Sequence, residues 1–157
     1  MDTDSLKYLK LAVKIADKGI ENGFGPFGAI IVCDGKIVSR AGNSVTKSND
    51  STAHAEINAI RKACKKLKSF NLSDCVLYSS CEPCPMCLSA IYWSGIKTVY
   101  FASTREDADK AGFSDKIIYA EFNKRNSEKS IHLKRLRVED SKSVFEKWNN
   151  KIDKIKY

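Results

Sequence analysis

No apolar run in this chain approaches the roughly 20 residues a membrane-spanning helix needs, which sets membrane insertion aside. Nothing repeats at a fixed period, so a solenoid or propeller is excluded. No Gly/Ser-rich or low-complexity stretch divides the 157 residues, and that length suits one domain with a real core. The opening M-D-T-D-S lacks the apolar stretch of a secretory signal. Together with six cysteines, three of them in C-x-x-C-x-x-C spacing, it points to a reducing cytoplasm rather than a disulfide scaffold. Histidine is scarcest among the metal-binding types, with only His54 and His132. Any histidine-based chemistry must use one of them.

What is present concentrates in two blocks, T-A-H-A-E-I-N-A-I (Thr52 to Ile60) and C-E-P-C-P-M-C (Cys81 to Cys87). Cys84 and Cys87 are three apart, close to one helical turn. Pro85 suits the first turn of a helix because its missing N–H is not needed there. Both sulfurs can then face one point at a helix N-terminus, whose positive end favours thiolates. His54 lies thirty residues upstream, at the start of a helix expected over Ala53–Lys68 with Ser51 or Thr52 as its cap. A catalytic zinc usually takes three protein ligands and keeps a fourth position open. His54, Cys84 and Cys87 supply three. Glu56 is better placed as a proton carrier than as a fourth ligand. Zinc lowers the pKa of a bound water from about 15.7 to roughly 7, and a neighbouring carboxylate can act as general acid and base.

Other readings compete. With Cys81, the three cysteines also match iron–sulfur spacing. With His54 added, they could close a structural Cys3His zinc site and make the chain an RNA-binding module. The placement of Pro85 and the H-x-E block favour the open site, and Cys81 falls at the end of a strand expected over Val76–Ser80. Cys33, Cys64 and Cys75 read as buried thiols behaving as small hydrophobes. His132 sits in the alternating I-H-L-K-R-L-R-V and reads as a strand surface residue. The net charge of +8 raises the question of nucleic acid. The lysines are scattered, however, and no basic run is interleaved with stacking aromatics, so solvated faces account for the charge at least as well.

The wider pattern alternates helix and strand. An amphipathic helix is expected over Asp4–Gly19, and a hairpin over Phe27–Cys33 and Lys36–Ala41 with Asp34-Gly35 as its turn. After the His54 helix come the Val76 strand, the Cys84 helix ending near Gly95, a strand over Thr98–Ala102 and a helix over Thr104–Ala111. A short helix over Ile117–Phe122 and a terminal one over Ser141–Asn150, capped by Ser141 or Ser143, follow. Strands separated by helices imply an α/β sandwich with a mixed sheet.

The paired H-x-E and P-C-x-x-C blocks resemble the zinc deaminase signature, and the chain resembles the cytidine/deoxycytidylate deaminase superfamily. Longer strings carry a finer likeness, to the small bacterial guanine deaminases. They are G-P-F-G-A-I-I-V (Gly25 to Val32), N-D-S-T-A-H-A-E-I-N-A-I-R-K-A-C (Asn49 to Cys64), L-Y-S-S-C-E-P-C-P-M-C-L-S-A-I-Y-W (Leu77 to Trp93) and A-G-F-S-D (Ala111 to Asp115). The resemblance implies a three-layer α/β/α sandwich around a five-stranded mixed sheet and one zinc ion per subunit. It also implies a single deaminase domain over 1–157, with 113–157 as an extension that closes the active site. The implied reaction is hydrolysis of guanine to xanthine and ammonia. Glu56 and Asp115 would be catalytic, and Asn43, Ala55, Phe27, Trp93 and Tyr157 would bind the base. Phe27 and Trp93 could equally be core residues, Asn43 a turn residue, and Asp115 the cap of a following helix. The implied assembly is a homodimer with exchanged C-terminal segments. A tRNA adenosine deaminase or a nucleoside deaminase remains the alternative enzyme.

Overall fold

A computed structural model describes residues 3–156, and Tyr157 lies outside the described residues. The chain begins with α1 (Thr3–Glu21), a 19-residue helix. The hairpin β1 (Gly28–Cys33) and β2 (Lys36–Gly42) follows. Its two-residue turn carries φ of 50° at Asp34 and 70° at Gly35, the left-handed pair that a tight right-twisting hairpin needs. A single turn, α2 (Val45–Ser48), leads to α3 (Ala55–Leu67). The strand β3 (Cys75–Cys81), helix α4 (Pro85–Trp93) and strand β4 (Thr98–Ser103) complete a crossover unit. Then come α5 (Arg105–Lys110), α6 (Lys116–Phe122) and α7 (Ser143–Asn150).

The strands lie in the order β2-β1-β3-β4, with β1 antiparallel to both neighbours and β3 parallel to β4. Successive side chains in a strand point to opposite faces, and the two cores divide accordingly. Ile30 and Val32 of β1 and Tyr78 of β3 meet Ala12 of α1 on one face. Ala29, Ile31 and Leu77 meet Ala55, Ala59 and Ala63 of α3 and Ile91 of α4 on the other. Alanine dominates the inward side of α3 because the helix lies close against the sheet. Contact is just as tight on the opposite face. A Cβ added to Gly28 would lie 2.3 Å from the Ala12 carbonyl oxygen and 2.9 Å from Ile15 Cβ.

The sandwich and its mixed sheet match the expectation, but among the described residues the sheet has four strands, not five. The alternating segment 131–138, which contains His132, forms no strand. Alternation alone does not make a strand, because the backbone needs a ladder partner for its N–H and C=O groups. Two helix starts also differ. α3 begins at Ala55 with His54 as its N-cap, and Thr52 donates its hydroxyl to Asp50 Oδ1 (2.6 Å). α7 is preceded by Lys142, while Ser143 Oγ donates to the Asp140 carbonyl. In both places the hydroxyl donates to a local oxygen instead of accepting from the first N–H groups of the helix, the competition that makes such residues ambiguous in sequence.

Residues 1–116 and 117–157 form two compact units. The first holds both cores. No residue of α6 or α7 is buried. None of the described helices is long and apolar enough to cross a membrane.

Candidate metal and active site

Two helix N-termini supply the site. His54 takes an extended conformation (φ −68°, ψ 158°) as the N-cap of α3. Cys84 does the same (φ −65°, ψ 168°) as the N-cap of α4, with Pro85 in the first turn as anticipated. Neither side chain caps its own helix, so both are free to point elsewhere. Cys87, one turn into α4, is fully buried. Cys84 Sγ and Cys87 Sγ each lie 3.5 Å from His54 Nδ1. The three ligand atoms are within 4.8 Å of one another, the one such group among the described residues.

These distances suit zinc. Nitrogen at about 2.05 Å and sulfur at about 2.3 Å from a tetrahedral ion stand about 3.6 Å apart. The electrostatics suit a cation as well. A hydrogen bond from Cys87 foremost, with His54 beside it, pulls the Cys84 thiol down to about 4. The same pairing, with burial behind it, pushes the Cys87 thiol up. His54 is raised, chiefly by its hydrogen bond with Cys84. Two sulfurs and an imidazole nitrogen thus gather at one point, a donor set that suits a zinc ion.

Glu56 sits in the first turn of α3, 4% exposed. Burial pushes its carboxyl up, so a proton there costs less than on a solvated carboxylate. Oε1 accepts a hydrogen bond from Ser79 Oγ (3.0 Å), and Oε2 accepts from the Cys87 thiol (3.5 Å). Glu56 therefore lies beside the ligand group without belonging to it. Ser79 escaped the sequence reading. Its signal was a pair of serines inside the otherwise apolar strand V-L-Y-S-S-C, where a buried hydroxyl needs a partner.

Cys81 does not join the group. Its thiol donates to the Thr104 carbonyl (3.4 Å), and burial pushes it up to about 11. Glu82 accepts from the Arg105 N–H, which holds the start of α5. Cys75 is buried as expected, whereas Cys33 and Cys64 are only half-buried. Asn43 is buried after β2, and its Oδ1 accepts from the Val45 N–H (3.1 Å). Its amide lies over Gly25, where an added Cβ would stand 3.2 Å from Asn43 Cγ. Asn58 secures both sides of this loop, donating to the carbonyls of Gly42 (3.0 Å) and Ala53 (3.1 Å) and to Ser44 Oγ.

The remaining expected residues are less tightly grouped. Phe27 meets Phe113 edge-on, with ring centroids 5.0 Å apart. Asp115 is half-buried, and burial and then the Cys84 charge push its carboxyl up, which puts it within electrostatic reach of the ligand group. Ala55 is fully buried in the first turn of α3. Trp93 ends α4 at 70% exposure, so it packs into neither core.

Residues 2–103 match the cytidine and deoxycytidylate deaminase zinc-binding region, and the chain belongs to that family. Within it, the chain is 50% identical to the guanine deaminase of Bacillus subtilis (strain 168) over 151 residues, 96% of this chain and 97% of that protein. The X-ray structure of guanine deaminase from Bacillus subtilis superimposes with a TM-score of 0.94, at 48% identity over 100% of this chain and 99% of that one. The tRNA-specific adenosine deaminase of Buchnera aphidicola subsp. Schizaphis graminum (strain Sg) is 43% identical over 79% of this chain and 83% of its own. The chain is a zinc-dependent deaminase.

Proposed function

We propose that the chain hydrolyses guanine to xanthine and ammonia. The observation that carries this reading is the convergence of His54, Cys84 and Cys87 beside a buried Glu56, in a chain whose likeness to a guanine deaminase covers 96% of its length. His54 Nδ1 and the two sulfurs would hold the zinc. When bound, zinc supplies Lewis acidity and a water acidic enough to react near neutral pH. Glu56, steadied by Ser79, takes a proton and returns protons to the ring and to the departing amine. The backbone N–H groups at the start of α4 face developing negative charge. Phe27 and Phe113 would flank the base, with Trp93 at the rim. The Asn43 amide, fixed over Gly25, would read the purine edge, and Ala55 would line the pocket with its backbone. Asp115 would hold or protonate the base.

The assembly we propose is a homodimer in the cytoplasm with exchanged C-terminal segments, 113–157 closing the partner's site and Tyr157 contributing to it. Tyr100 and Phe101 of the edge strand β4 are 40% and 44% exposed, and the second unit leaves its apolar side chains uncovered. Both features suit a covering subunit.

The test is ammonia release by the zinc-loaded protein offered guanine, guanosine, adenine, cytosine, cytidine and a tRNA anticodon stem-loop. Release from guanine alone is expected. Release only from the stem-loop would overturn the base reading.

A further inference from the structure

Cys33 and Cys75 stand apart from the metal site, at the opposite end of the alignment between β1 and β3. They are direct partners across that antiparallel pair. Partners across a sheet present their side chains on the same face, and both thiols contribute to the α3-side core. Hydrogen-bond parity fixes their spacing. The tight turn at Asp34-Gly35 makes Cys33 and Lys36 its closing pair, which directs the Cys33 backbone groups toward β2. The Cys75 N–H accordingly donates to the Leu72 carbonyl (2.9 Å) and not to Cys33. The pair is therefore of the non-hydrogen-bonded kind, in which Cα atoms approach to about 4.5 Å and side chains are closest. That separation falls within the range a disulfide spans. The Cys33 thiol donates to the carbonyl of Asp74 (3.6 Å), the residue next to Cys75.

We propose that Cys33 and Cys75 form a peroxide-oxidisable cross-strand dithiol, a modification site separate from the zinc ligands. Cys33, half-buried at the strand end, is the sulfur a hydroperoxide reaches first. It loses its proton to solvent and attacks one peroxide oxygen. The O–O bond breaks, a sulfenic acid forms on Cys33, and the second oxygen leaves as water or alcohol. The buried Cys75 sulfur then attacks the Cys33 sulfur. The S–O bond breaks, S–S forms, and water departs with the Cys75 proton. The two thiols lose two electrons and the peroxide gains them. Burial foremost, then the neighbouring Cys33, pushes the Cys75 thiol up to about 12, so Cys75 keeps its proton while Cys33 meets the peroxide first. The chain closed by this bond contains Asn43, His54 and Glu56, so oxidation would tie down a large part of the catalytic segment.

The zinc-loaded full chain, treated with hydrogen peroxide, alkylated and digested without reductant, tests this by mass spectrometry. The expected product joins the Cys33 and Cys75 peptides with the loss of two hydrogens. The zinc content should be unchanged and the thermal midpoint several degrees higher, because a long loop is closed in the unfolded chain. Cys33→Ser should abolish the cross-link and Cys64→Ser should leave it intact. Separate recovery of the two cysteines, alkylated or oxidised singly, would overturn the proposal. So would a cross-link running to Cys64, or a fall in midpoint on oxidation.

Discussion

Residues 1–116 and 117–157 solve the burial problem in opposite ways. The first unit sinks Ile30, Ile31 and Leu77 completely, and every buried side chain of the described protein lies within it. The second has its own share of large apolar residues, yet Leu136 is 84% exposed, Phe145 71% and Ile152 fully so. Its charged residues pair among themselves at the surface, as in Arg125–Glu128 and Lys124–Glu121, contacts that contribute little. The family match stops at residue 103, while the guanine deaminase likeness covers 96% of the chain. The candidate metal site and every buried side chain of the described residues thus lie in the first unit, while the second carries exposed apolar residues that the proposed exchange would cover.

The largest effect that would sharpen this contrast is on the metal. Cys87→Ala should abolish zinc binding, read by elemental analysis, and with it ammonia release; full zinc retention would remove Cys87 from the ligand set. Next, Glu56→Gln should keep zinc and lower kcat by about 10²–10⁴, measured on the metal-loaded enzyme; near-normal turnover would end the proton-shuttle role. The contrast itself is tested by truncating one leucine in each unit. Leu77→Ala should cost about 2–5 kcal/mol, whereas Leu136→Ala should stay within about 0.5 kcal/mol in urea melts of the monomer. A comparable cost for Leu136 at concentrations where dimers form would show that a partner covers it. Deleting residues 155–157 should lower kcat/KM for guanine while leaving Tm nearly unchanged, and the reverse result would make the terminus structural.

The smallest expected effect concerns α5. Asp107 accepts from the Thr104 N–H and hydroxyl, and those bonds, the backbone one first, hold its carboxyl below the usual range. A depressed folded-state pKa stabilises above the unfolded value and is lost as pH falls through the folded one. The Tm difference between the native chain and Asp107→Asn should therefore shrink as pH drops below the ordinary carboxylate range.

The ligand set was legible because it depends on short spacing. Cys84 and Cys87 are separated by one turn with a proline at its start, and no distant contact is needed to bring them together. The hairpin was legible for the same reason, since Asp34-Gly35 can hardly do anything else. Ser79 was not, because its partner Glu56 lies 23 residues away in sequence and only the packing of α3 on β3 joins them. The fifth strand was implied by the resemblance and not by the residues, and the alternating segment 131–138, where His132 was expected on a strand, forms none because alternation does not supply a pairing partner. Trp93 and Asn43 were named without a geometry. The structure leaves the first exposed and holds the second over Gly25.

The strand β3 is a partition whose two sides are spelled in alternate letters. Val76 and Tyr78 serve α1, while Leu77 and Ser79 serve α3 and Glu56. Either side can vary by substitution without disturbing the other. Insertion or deletion of a single residue would exchange both linings at once, turning Ser79 from the carboxylate and a tyrosine into the ligand side. The length of this strand is therefore held more strictly than its composition, and inheritance there should run in replacements rather than gaps.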